Sequence, residues 1–103
     1  MIHTLPMFPL KMVVFPNEFV PLHIFEERYQ QLVEDCERDK TTFGIPAYID
    51  NKIEYGTEVS LFQVVERYDD GTCDIICKGE RFFKIEMFQK VLGDKLYAGA
   101  EVS

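Results

Sequence analysis

The residues able to do chemistry are few and scattered: His3 and His23, Ser60 and Ser103, and Cys36, Cys73 and Cys77. A serine nucleophile must sit at a cleft beside a base. Ser60 falls in the middle of an apolar run and Ser103 is the last residue. No G-x-x-x-x-G-K-[ST] phosphate loop is present, so nucleotide hydrolysis has no machinery here. His23 and Glu26 are the nearest approach to an acid–base pair, and hydrolysis around them lacks a credible nucleophile; packing at a strand-to-helix junction is the better reading of His23. Cys73 and Cys77 lie four apart in a strand-like run, which puts their Cα atoms about 13 Å apart at ~3.3 Å per residue. That is too far for a disulfide or for one metal ion. Three thiols without a secretory leader fit a reducing compartment, and they read as small core residues. No catalytic residue, cofactor site or metal site is expected.

Composition narrows the partners. The chain has 103 residues, 47% of them hydrophobic, with nine Phe, five Tyr and a net charge of −7. This is enough apolar material for one domain over residues 1–103 with one core. No apolar run approaches the ~20 residues of a membrane helix, and no basic-then-apolar leader opens the chain. The expected location is the cytoplasm, with no membrane partner. Nucleic-acid affinity rests on clustered Lys and Arg, and here only Lys78, Arg81 and Lys84 form a small patch.

The elements that would position these residues are short. Phe25, Tyr29, Leu32, Val33 and Cys36 recur at helical spacing. The helix starts near 24–26, because Pro21 blocks its extension upstream, and ends near 39–40. Glu26 and Glu27 at its start, and Arg38 and Lys40 at its end, suit the helix dipole. Glu26 is expected to serve the unpaired N–H groups there and Arg28 to pair with a carboxylate, while Glu27, Glu34 and Glu37 form a solvated face. Residues 1–4 read as a lead-in, and 7–10, 13–15 and 19–22 as short strands interrupted by prolines. Residues 42–49 read as a strand with a bulge or edge at Gly44 and Pro46. Residues 51–55 read as loop. Residues 58–67 form a strand with Val59, Leu61 and Val65 on one face, and Asp69–Asp70–Gly71 is a hairpin turn with Gly71 at positive φ. Residues 72–78 return with Cys73, Ile75 and Cys77 inward, and Gly79–Glu80 turns again. Residues 81–88 then place Phe83, Ile85 and Met87 on one face, and 96–102 is the last strand. The expected fold is mainly β: a nearly closed barrel of six or seven short strands with one amphipathic helix.

The motifs LPMFPL and VVFPNEFVPLHIFEERYQQLVEDC, followed by Phe43–Gly44, Tyr55–Gly56–Thr57–Glu58–Val59 and Gly79–Glu80–Arg81–Phe82, resemble the N-terminal domain of the ATP-dependent protease Lon. They resemble stand-alone Lon-domain proteins more closely still. The segment from Pro21 to Tyr29, P-L-H-I-F-E-x-R-Y, is the most specific part. The resemblance implies a PUA-like pseudo-barrel that recognises unfolded or partner polypeptides and catalyses nothing. PUA-like folds also bind RNA, an alternative that the acidic balance opposes. The family usually continues into a helical subdomain, whereas this sequence stops at Ser103 after the last strand.

Surplus aromatic surface is what remains for a partner. Phe62, Phe82, Phe88 and Tyr97 are the expected partner-binding residues. The last strand, 96–102, is expected to leave an open edge through which the chain self-associates weakly or accepts an extended peptide.

Overall fold

The computed structural model describes residues 2–103; Met1, part of the expected lead-in, lies outside the described residues. Strands β1 (His3–Met7) and β2 (Phe19–Ile24) precede helix α1 (Glu27–Asp39). Strands β3 (Phe43–Ile49), β4 (Lys52–Arg67), β5 (Cys73–Gln89) and β6 (Ala98–Val102) follow. The sheet order is β2-β5-β4-β3-β1-β6, and β6 pairs again with β5. Five strands therefore close into a barrel and β2 is added outside it, against β5. Closure is narrowest where β1 meets β3, in parallel and only at Met7 and Gly44.

The helix forms where its apolar spacing requires. Tyr29, Leu32, Val33 and Cys36 are buried, and the helix ends on Lys40 in the left-handed region (φ 55), whose N–H caps the Cys36 carbonyl. Phe25 differs from expectation: it precedes the helix and is 63% exposed. The helix covers one core, in which Phe8 stacks on Tyr29 at 3.9 Å and Phe43, Val59, Ile75 and Cys77 pack beneath. A second, smaller core of Leu5, Met7, Phe83, Ala100 and Val102 fills the barrel.

The long β4–β5 ribbon serves both cores by exchanging faces. Val59 pairs with Gly79 and Glu58 with Arg81, so Glu80 is an extra residue on β5. Such a bulge reverses the inside–outside alternation. Cys73, Ile75 and Cys77 thus point to the helix-covered core, while Phe83, beyond the bulge, points to the other side, into the barrel. Residues 79–80 are therefore a bulge inside one strand and not the expected turn. Gly79 is needed there because a Cβ would collide with the Phe15 carbonyl.

Other expectations change for related reasons. The first strand occupies His3–Met7, starting inside the expected lead-in (1–4) and ending where the expected strand 7–10 begins, and 13–15 is not a strand. That segment crosses the core, burying Val14 and receiving the Thr57 hydroxyl on its carbonyl at 2.5 Å. Residues 52–55 are strand, paired with β3 through Ala47 with Tyr55, Tyr48 with Ile53 and Ile49 with Lys52, with Glu54 as an extra residue. Met87 is exposed because β5 carries another extra residue between Ile85 and Met87. The final strand has no open edge, since β6 pairs with β1 on one side and β5 on the other. Addition of a further strand to β6, from a second copy or from a peptide, is therefore unavailable. Free edges remain on β2, where Pro21 removes a backbone donor and blunts strand addition, and on β4 beyond Val59, which pairs with β5 alone and is broken by extra residues at Phe62 and Val65. Gly71 adopts φ 92 as the hairpin requires. No helix among the described residues is long and apolar enough to cross a membrane.

Candidate functional site

The three-stranded region β2–β5–β4 buries one face under the helix and leaves the other open. Two bulges on β4 shape the open face. Leu61 pairs with Cys77 and Gln63 with Ile76, so Phe62 is extruded; Val64 pairs with Ile75 and Glu66 with Asp74, so Val65 is extruded. Both are exposed, Phe62 by 58%. On β2, Phe19 lies opposite Lys78 and is 51% exposed. Phe19 and Phe62 come from strands on either side of β5, and their rings meet edge to face over it at 4.9 Å. Beside them Pro21, His23, Val65, Asp74 and Ile76 line a shallow depression of about 460 Å³.

Polar groups frame this face. His23 Nδ1 lies 2.6 Å from one Asp74 oxygen, and the Tyr68 hydroxyl donates to the other at 2.5 Å. These two hydrogen bonds, Tyr68 first, hold the Asp74 carboxyl below its usual range, so it stays ionised and the His23 Nδ1–H is the donor. The same bond pushes the Tyr68 phenol up to about 12. Glu80 accepts the Ser60 hydroxyl at 2.6 Å. The arrangement brings a histidine and a carboxylate together, while the Ser60 hydroxyl donates to Glu80 and the Ser103 hydroxyl to Glu86. All three thiols are buried, and burial drives each upward, Cys77 to about 12. The open face is thus apolar at Phe19, Phe62 and Val65 and polar at its rim.

The expected partner residues are not brought together. Phe62 lies on this face. Phe82 is exposed, but it follows the Glu80 bulge and leaves the ribbon on the other side, where it meets Phe15 edge to face at 6.1 Å. Phe88 lies six residues further along β5, roughly 20 Å away. Tyr97 is a correction: it is 3% exposed, and its hydroxyl donates to Asp35 at 2.6 Å. It precedes β6 and turns under the helix, so it offers a partner no surface. Phe15, Phe19 and Val65 were missed. Phe15 and Phe19 flank the Pro16–Asn17 turn, two aromatics four apart around a turn signal, which could have drawn attention. Val65 could not, since its exposure depends on a bulge.

The signature residues build the junction instead. Glu26 is the N-cap residue but makes no side-chain cap; its carboxylate takes the Arg28 guanidinium at 2.8 Å. Arg28 lies over the Tyr29 ring at 4.8 Å. His23 packs beside Phe25 and bonds to Asp74 rather than to Glu26.

Residues 4–103 match the family described as the ATP-dependent protease La (LON) substrate-binding domain. The chain is similar to a Lon N-terminal domain protein from Xanthomonas campestris, with 33% identity and a TM-score of 0.81 over 98% of this chain and 59% of that one. It shares its fold with the N-terminal domain of the Mycobacterium avium complex Lon protease, with 17% identity, a TM-score of 0.74, and 98% and 54% covered. It thus spans somewhat over half the length of these solved structures. No curated protein matches. With the family match running from residue 4 to residue 103, the chain belongs to the ATP-dependent protease La (LON) substrate-binding domain family.

Proposed function

We propose that this chain is a polypeptide-recognition domain of a Lon-type proteolytic system. It acts in the cytoplasm as one domain over residues 1–103 and holds unfolded segments on the open face of β2–β5–β4. The observation that carries this reading is the pair of β4 bulges that extrude Phe62 and Val65 beside Phe19. Bulges re-aim side chains, and contiguous exposed apolar surface marks partner sites. Phe82 with Phe15 supplies a smaller second contact around the turn, and Phe88 contributes least. Because Pro21 blunts the β2 edge and the extra residues Phe62 and Val65 interrupt the β4 edge, side chains rather than an added strand do the holding. The acids on the face, Glu66, Asp74 and Glu80, disfavour an RNA backbone.

The test is binding of a fluorescent, unstructured apolar peptide, followed by anisotropy, to the wild type and to Phe19→Ser/Phe62→Ser. Loss of at least tenfold in affinity, with the urea midpoint kept, is expected. Each half-exposed ring offers an aromatic hot spot of about 1–2 kcal/mol. Equal binding by the double variant would overturn the assignment of the face.

A further inference from the structure

We propose that this face selects segments that combine apolar side chains with lysine or arginine. The proposal rests on the polypeptide-binding reading above and adds a substrate class to it.

The argument begins with which charges share the face. Glu66 and Asp74 are direct cross-strand partners, and Asp74 also lies opposite His23 on β2. Opposed side chains of a pair project from the same side of a sheet. Glu80 reaches the Ser60 hydroxyl, and Ser60 pairs with Lys78, opposite Phe19. Three carboxylates therefore share the face with Phe19 and Phe62, against one lysine, Lys78. Like charges paired directly across strands, as at Glu66 and Asp74, are destabilising in isolation. The Tyr68 hydroxyl and His23 engage Asp74, while among the described residues no basic side chain forms an ion pair with Glu66 or Glu80.

Two further features act in the same direction. The net charge of −7 gives the surrounding field the sign of the face, which draws in cationic segments and repels anionic ones. The exposed Phe19 and Phe62 rings also present π faces to which ammonium and guanidinium groups are attracted. An apolar segment carrying Lys or Arg thus places its apolar side chains on the rings and the bulged Val65 and its cations on the carboxylates. A second copy of this chain, equally acidic, is a poor occupant.

Three fluorescent peptides with one apolar framework and three variable positions, all Lys, all Gln or all Glu, test this. Anisotropy is read at low salt (about 20 mM) and at high salt (about 0.5 M). The expected order is Lys over Gln over Glu, with roughly tenfold between the extremes at low salt and about twofold at high salt. Glu66→Lys narrows that spread by weakening the Lys peptide and strengthening the Glu peptide. The same charge change at exposed Glu54, near the other end of β4, leaves the order in place. Equal binding of all three peptides, or a reversed order, would overturn the charge selection while leaving polypeptide binding intact. Failure of all three to bind would remove the polypeptide-binding reading and this inference together.

Discussion

Tyr97→Phe removes one oxygen atom from the junction between the helix and the segment before β6, and its cost follows from what Asp35 touches. The Asp35 side chain is 12% exposed and accepts Tyr97 at 2.6 Å, Arg38 at 3.0 Å and Lys95 at 3.1 Å. Burial alone would push its carboxyl up; the hydrogen bonds from Tyr97 and Lys95, the Lys95 charge and Arg38 outweigh this and hold it below its ordinary value. A hydrogen bond to a charged acceptor contributes about 1.5–3 kcal/mol. Two cations stay on Asp35 after the substitution, so the lower end applies, about 1.5 kcal/mol near neutral pH. For a domain of this size that lowers the thermal midpoint by roughly 6–12 °C. The folded-state pKa of Asp35 is depressed, so its contribution is complete above the ordinary value of 3.8 and is lost as pH falls through the folded value. Urea unfolding of both proteins near neutral pH and at successively lower pH is the assay. The gap between them should hold from neutrality to about one unit above 3.8 and then shrink. No gap near neutral pH, or a gap that stays constant through the acid range, would refute the reasoning.

Leu32→Ala, at a side chain 0% exposed under the helix, should cost about 2–5 kcal/mol in urea unfolding. The surface control is Glu34→Ala, because Gln31 accepts the Leu96 N–H at 2.8 Å and is not inert; equal midpoint shifts for the two variants would contradict the helix face. Gly71→Val forces a β-branched residue to φ 92 and should lower the thermal midpoint by an amount equivalent to about 1–3 kcal/mol. An unchanged midpoint would contradict the turn.

The helix was legible because its spacing, charge order and Pro21 boundary all reflect local physics. The inward set Cys73, Ile75 and Cys77 was legible because strand alternation holds between bulges. Alternation failed wherever β4 or β5 carries an extra residue: at Phe62 and Val65, at Glu80, and between Ile85 and Met87. A bulge is fixed by the register of two distant segments, and no single segment records it. The last strand was misjudged for the same reason. Whether β6 is an edge depends on β1 and β5, and Tyr97 looks like a surface aromatic until Asp35, 62 residues earlier, is placed beside its hydroxyl. Phe62 was identified as exposed, but the face it belongs to was not, because Phe19 reaches it only across β5.

The most direct test of the central claim, that an unfolded polypeptide sits on the open face of β2–β5–β4, is an amide chemical-shift titration of the labelled protein with the Lys-bearing apolar peptide. The largest saturable shifts should map to Phe19–Ile24, to residues 60–66 of β4 and to residues 74–80 of β5, with the helix and residues 90–97 little changed. Saturable shifts confined to the surface around Phe88, Val91 and Leu96, with the Phe19 and Phe62 amides unmoved, would contradict it.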